Sequence, residues 1–262
     1  MFLTRFRLNA ARTGARRLLS SRQVMHAAVM ASFPNLLPTD QPEPDAPRVL
    51  WRLDHNAPGE VFLFLVSPDA PDLTHLVEQA GWPTALVDGP GWQTRSYTPL
   101  LDRLEKEQRW GFRLTANPVH HIRRRGDEPV KRTAHRTPHH QMGWLLDPKR
   151  QERGGFRVLE KPENKRLLPA GTTHQGREHH GDRYELTIRD HRFHAFDKSR
   201  ASGARRGRSV SLVTVTFDGR LEVTDPELMR RTLTQGLGKA KAYGCGLMTL
   251  APLPSLPQEA TR

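Results

Sequence analysis

Apolar residues recur along this chain with two periods, and the order in which the periods alternate gives the first structural information. Phe2, Phe6 and Leu8 alternate with polar neighbours, as in a strand. Over residues 13–33 the period lengthens to that of a helix: Leu18, Met25 and Val29 share one face, and Pro34 marks the stop. A connector rich in proline and aspartate follows, LPTDQPEPDAP. Residues 48–54 and 60–67 read as two strands around a hairpin-like 55–59. Residues 71–80 are a short helix ending before Gly81, and 92–97 a last strand. The order is β-α-β-β-α-β, the ferredoxin-like pattern.

The remainder repeats that order with insertions. Trp110, Phe112, Leu114 and Ala116 alternate as a strand does, and Thr137-Pro138 supplies a cap and first residue for a helix to about residue 149. Residues 184–189 and 209–217 read as strands, the second closed by an Asp218-Gly219 turn into 220–223. Asp225-Pro226 opens a helix over 227–234, and after a glycine-rich loop residues 247–251 form the final strand. The expectation is an α+β chain of two tandem ferredoxin-like (RRM-like) βαββαβ domains, 1–105 and 106–262. RNA-recognition modules share that fold, but their aromatic signature, K/R-G-F-G-F-V-x-F, is absent here. RNA would therefore be held by charge and shape, which favours structured RNA.

Charge sharpens this picture. The net charge is +13 over 262 residues, and it is segregated. Residues 1–35 contribute +6, residues 36–105 contribute −7, and the rest +14. Such segregation is the footprint of a nucleic-acid binder. No window approaches eighteen uncharged apolar residues, so no membrane partner is expected, and the N-terminus lacks the apolar run of a secretory signal. A cytoplasmic location is expected. The single cysteine, Cys245, excludes internal disulfides and cysteine-rich zinc sites. Histidine pairs at 120–121, 139–140 and 179–180, with His135 four residues before His139, lack the acids and cysteines of a metal site. No metal is expected.

Two stretches carry candidate chemistry. GLGKAKAYGCG, from Gly236 to Gly246, places Gly236, Gly238, Gly244 and Gly246 around Lys239 and Lys241. Glycines and lysines together suit an anionic ligand. The loop matches neither nucleotide fingerprint: Ala240 follows Lys239 where a P-loop needs Ser or Thr, and the third glycine of GxGxxG is missing. No nucleotide cofactor is expected. The second stretch, DKSRASGARRGR, sets Lys198, Arg200, Arg205, Arg206 and Arg208 against one acid between strand-like flanks, as in a basic hairpin.

The stretch FDGRLEVTDPELMRRTLTQGLGKAKAYGCGLMTLAPL resembles the C-terminal signature of CasE, the CRISPR repeat-processing endoribonuclease subunit of type I-E Cascade. The D-G-x-L-x-V-x-D-P segment, the glycine-rich loop and the L-A-P ending occur in order. MFLTRFRLN and HAAVMASFP, which contains His26, agree at the other end, and the middle of the chain aligns weakly. The resemblance implies two ferredoxin-like domains and metal-independent cleavage at the base of the repeat hairpin. The 2′-OH attacks, leaving a 2′,3′-cyclic phosphate and a 5′-OH. It also implies no cofactor, retention of the mature guide RNA, and other Cascade subunits as partners.

The resemblance places His26 at the catalytic position, as general acid or general base, with Arg22 and Gln23 one turn away. Some relatives carry a tyrosine where Gln23 stands, and glutamine cannot titrate. Arg22 reads either as a phosphorane-stabilising cation or as a solvated helix arginine. The glycine-rich loop and Lys239 and Lys241 would lie on the RNA backbone near the cut, and the basic segment on the repeat stem. The alternative from another class is a catalytically idle subunit that binds structured RNA.

Overall fold

The computed structural model describes residues 1–33, 48–83, 89–122, 131–169, 172–174, 177–197 and 209–253. In the first half β1 (Phe2–Asn9) leads into α1 (Thr13–Ser20) and α2 (Arg22–Met30). These are followed by β2 (Leu50–Ala57), β3 (Glu60–Ser67), α3 (Thr74–Ala80) and β4 (Trp92–Ser96), then the short α4 (Thr98–Asp102). The strands pair antiparallel in the order β2-β3-β1-β4. That order follows from the sequence of elements: β3 folds back on β2 as a hairpin, and the two helical connections bring β1 and β4 together beside it.

The second half begins with β5 (Arg109–Ala116) and a small hairpin, β6 (Val119–Ile122) with β7 (Lys131–Ala134). Next come α5 (Pro138–Leu146), α6 (Pro148–Gly154), β8 (Phe156–Val158), the two-residue pair β9 (Thr173–His174) and β10 (Arg177–Glu178), and α7 (His180–Arg183). The chain closes with β11 (Leu186–Asp197), β12 (Ser209–Val223), α8 (Pro226–Gln235) and β13 (Met248–Ala251). The sheet order β11-β12-β5-β13 repeats the first half's order, with β8 paired to the far end of β12. Both ferredoxin-like units are present.

Three local readings are corrected. The helix over 13–33 is two helices, because Ser21 is extended (φ −138°, ψ 121°) and its hydroxyl accepts from the Val24 amide, capping α2. Asp147 breaks the helix after Thr137 in the same way, accepting from the Arg150 amide to start α6. Asp218-Gly219 makes no turn. β12 runs straight through it, and a side chain at 219 would drive into the Glu185 carbonyl and the Phe112 ring. The glycine permits close strand packing, a signal identical in sequence to a hairpin turn.

One buried cluster joins Phe6, Leu18, Met25, Val29 and Trp51 beneath the first half's helices. A second joins Leu114, Trp144, Phe217 and Leu233 and reaches into the first half at Leu50 and Val66. β2 is therefore buried on both faces. Leu50, Arg52 and Asp54 point toward the second half, while Trp51 and Leu53 point under the helices.

Candidate functional site at the junction of the two halves

Arg52 and Asp54 sit two residues apart on one face of β2, so their side chains meet: Nε to Oδ1 2.6 Å and Nη2 to Oδ2 2.9 Å. Arg52 also donates to the carbonyls of Arg113 (2.8 Å) and Leu247 (3.1 Å) and to Thr249 Oγ1 (2.9 Å), all in the second half. Arg113 continues the chain to Asp54 (3.2 Å) and Asp218 (2.6 Å), and Asp218 to Arg189 (2.7 Å). Burial alone would raise the Asp54 pKa, but Arg52 and then Arg113 hold it below the ordinary carboxylate value. Each charge in this network thus has a partner of opposite sign, as buried charges require.

Above this clasp, α2 meets the glycine-rich loop. The loop takes positive φ at Gly236, Gly238, Ala240, Gly244 and Gly246. It is pinned to the second sheet by Gly246 N to Thr115 O (2.7 Å) and closed on itself by Leu237 N to Gly246 O (2.9 Å). Its middle, the 3-10 turn Lys241–Tyr243, packs against α2 and β2. Gly244 has φ 74°, and a Cβ there would lie 2.5 Å from the Trp51 ring and 2.7 Å from Arg22 Nη1. Glycine is the residue that fits, on both counts.

His26 projects from α2 into this junction, half-buried, with its ring edge-on to Tyr243 (centroids 6.3 Å, 66°). Its Nδ1 is buried with no hydrogen-bond partner, and burial lowers its pKa below the ordinary histidine value. Tyr243 in turn meets Phe196 of β11 (4.9 Å, 63°).

Arg22, one turn before His26, is buried at 8% exposure and lies 5.6 Å from the centroid of the Trp51 ring. Its Nη1 has no hydrogen-bond partner, and burial is the leading cause of its lowered pKa. The solvated-arginine reading therefore fails: this guanidinium lies under the loop. Gln23 is half-buried on the same helix. Lys239 is exposed, whereas Lys241 is half-buried and its pKa is lowered by burial, then by Arg48 and Lys239. Cys245 is fully buried, its thiol pushed up to about 12, and so stays protonated.

Lys198, Arg200, Arg205, Arg206 and Arg208 lie outside the described residues. The strands on either side pair as far as Asp197 with Ser209, so the basic segment joins a long two-stranded ribbon. Sequence reasoning missed Tyr243, Trp51 and the Arg52–Asp54 pair. Tyr243 lies inside the quoted loop, but nothing local announces contact with a residue near the opposite end of the chain. The histidines are brought together in part. Rings of His120 and His135 (4.3 Å), His135 and His140 (5.8 Å), and His139 and His180 (4.5 Å) are in contact. Among the described residues, no group of three or more His, Cys, Asp or Glu is arranged to hold a metal ion.

Two ferredoxin-like units clasped by a buried ion network, with a histidine helix facing a cationic glycine-rich loop, define the structural class. Residues 1–252 match the family described as "CRISPR associated protein", and the chain belongs to that family. It is 31% identical over 252 residues to the CRISPR-associated endoribonuclease Cse3 of Thermus thermophilus, covering 96% of this chain and 100% of that protein. It is 45% identical to the Cascade subunit CasE of Escherichia coli over 47 residues, 18% of this chain and 24% of that protein. Among solved structures, Cse3 bound to 19 nt RNA superposes with TM-score 0.68 at 30% identity, covering 96% and 100% of the two chains. A Thermus thermophilus Cse3 complex with an RNA representing a pre-cleavage complex gives 0.65 at 29%, covering 96% and 98%.

Proposed function

We propose that this chain is a metal-independent endoribonuclease that cuts CRISPR precursor RNA at the base of the repeat hairpin. It then stays on the mature guide RNA as a Cascade subunit. The observation that carries the reading is His26, an imidazole tuned toward neutrality, held where α2 meets a cationic loop in a chain that matches Cse3 over its whole length.

The chemistry follows from what is present. The RNA 2′-oxygen bonds to phosphorus as its proton passes to His26, and the bond from phosphorus to the 5′-oxygen breaks as that oxygen takes a proton from water. A histidine whose pKa is lowered is neutral at pH 7, the state that accepts the 2′-OH proton, so His26 is read as the general base. Lys239 and Lys241 supply positive charge for the phosphorane, and a half-buried ammonium acts more strongly there than one in water. Arg22 backs the loop from beneath and adds to its positive field. The basic segment with Lys198, Arg200, Arg205, Arg206 and Arg208 is read as gripping the repeat stem, and the loop glycines as shaping the wall beside the cut.

The domains are read as 1–105 and 106–262, and the cytoplasm as the location; among the described residues no helix is long and apolar enough to cross a membrane.

The test is cleavage of a synthetic repeat hairpin from the host's own array in EDTA. Wild type is expected to make one cut and leave a cyclic phosphate. His26→Ala is expected to lose about 10²- to 10⁴-fold in rate with RNA affinity retained. Binding without cutting by wild type would move the protein to the idle-subunit class. Cleavage by His26→Ala at the wild-type rate would remove the assigned base.

A further inference from the structure

A histidine that moves protons is ordinarily oriented by a hydrogen bond to its second ring nitrogen, often from a carboxylate or a carbonyl. His26 has none: Nδ1 is buried and unpartnered. Something else must hold the ring, since χ2 of histidine is broad and soft. The contact present is aromatic. Tyr243 stands edge-on to His26 at 6.3 Å and 66°, within the range where a tilted pair of rings is attractive.

Tyr243 is itself firmly placed. Its amide donates to Ala240 O (2.9 Å), and the following Gly244 amide donates to Lys241 O (3.3 Å). Ala240 and Gly244, both in the left-handed region, bracket the turn. The Tyr243 ring also meets Phe196, at 4.9 Å and 63°. Phe196 is the last residue but one of β11, just before the basic segment. Three rings from three separate elements therefore form one series, Phe196–Tyr243–His26.

We propose that Tyr243 is a positioning residue for His26: its ring, rather than its hydroxyl, sets the imidazole's orientation and keeps water from it. The inference rests on the reading of His26 as the base, and it adds the device that replaces the missing hydrogen bond. It also gives the glycine-rich loop a second task besides carrying cations, and it ties the strand leading to the basic segment to the orientation of the base. Charged and titratable groups on α2 and on the elements packed against it and the turn include Arg22 on α2, Lys241 in the turn, Arg16 and Arg17 on α1, Asp190, Arg192 and His194 on β11, and Asp54 and His55 on β2, and the lowering of the His26 pKa comes from burial. These groups are unchanged by substitution at 243, so a shift in His26 reports the ring.

The experiment uses full-length Tyr243→Phe and Tyr243→Leu; leucine keeps apolar bulk in the loop, so the fold is retained. The first readout needs no RNA: titration of the His26 imidazole by NMR, its signal identified by its absence in His26→Ala. In Tyr243→Leu the pKa is expected to rise toward the ordinary value as water reaches the ring, and in Tyr243→Phe to stay at the wild-type value. The second readout is single-turnover cleavage of the repeat hairpin. Tyr243→Leu is expected to be slower by about tenfold, with its acid limb shifted upward and RNA affinity retained, and Tyr243→Phe to match wild type. A Tyr243→Leu protein with unshifted titration and wild-type cleavage overturns the proposal. Equal loss in both variants also overturns it, since the hydroxyl would then be the active part. If wild type fails to cut but the titration shifts as stated, the pairing stands and the function falls.

Discussion

In the first half, the crossover between β1 and β2 is a broken helix pair whose second member carries His26 into the junction. In the second half, the longer crossover between β5 and β11 contains a second broken pair, α5 and α6, and α5 sends Trp144 and Leu145 into the core instead. The second half contributes from a different place, the loop between α8 and β13. The first half has no counterpart there: the stretch before β4 holds no comparable run of lysines and glycines. One strand order, used twice, thus yields two unlike surfaces, and the candidate site exists only where they face each other. Topology decides which elements are available at the junction; the side chains decide which of them acts.

The strongest way to break this arrangement is at the clasp. Arg52→Ala leaves Asp54 buried beside Arg113 alone and removes five hydrogen bonds, whose acceptors include two backbone carbonyls. Removing one partner of a buried pair typically costs about 3–5 kcal/mol. Chemical denaturation is expected to show a loss of that order, with cleavage falling in step because α2 and the loop lose registration. Full activity in a protein so destabilised would show that the two surfaces keep their geometry without the clasp.

A second substitution separates the loop's own shape from its surroundings. Gly59 and Gly244 both have positive φ, but a Cβ at 59 meets nothing within 4 Å, while at 244 it meets Trp51 and Arg22. Gly59→Ala is expected to cost only the left-handed penalty, about 1–2 kcal/mol. Gly244→Ala adds overpacking of about 1–3 kcal/mol, displacing the turn that carries Lys241 and Tyr243. It is expected to lower cleavage sharply while Gly59→Ala leaves it alone. Equal activities would separate the turn's position from catalysis.

The strands of the first half were legible in the sequence because β1 alternates apolar with polar residues and the stretch 55–59, with Asn, Pro and Gly, divides β2 from the apolar run of β3. Elsewhere local cues pointed the wrong way, in both halves. Asp218-Gly219 carries turn chemistry, yet lies mid-strand because Gly219 admits the Glu185 carbonyl and the Phe112 ring. The helix breaks at Ser21 and Asp147 were hidden because a capping side chain looks the same inside a continuous apolar period as at its start. At the site, His26 and the loop were visible as residue types. Arg22 stayed open between a solvated and a functional reading because its burial depends on Trp51 and Gly244, residues distant in sequence. Tyr243 was overlooked for the same reason. Periodicity reports which face is apolar, not which distant ring will cover it.

The smallest expected effect concerns acid. His194, on the junction face of β11 with Nε2 3.0 Å from Thr214 Oγ1, has its pKa lowered to about 4, first by burial and then by Arg22 and Arg192. His135, inside the second half's histidine series, is also lowered to about 4, by burial, then His120, His140 and Arg150. In each case the unfolded chain binds the proton at higher pH than the folded one. Stability is therefore intact above about pH 6.5 and declines as pH falls from there toward 4. His194→Asn and His135→Asn are each expected to flatten part of the fall in Tm between pH 7 and pH 5 and to change nothing above pH 7. The pair discriminates between regions. If His194→Asn also preserves cleavage at pH 5 where wild type fades, acid acts first by loosening the junction. If only His135→Asn flattens the curve, the junction tolerates the charge and acid destabilises the second half at half-buried His135 within its histidine series.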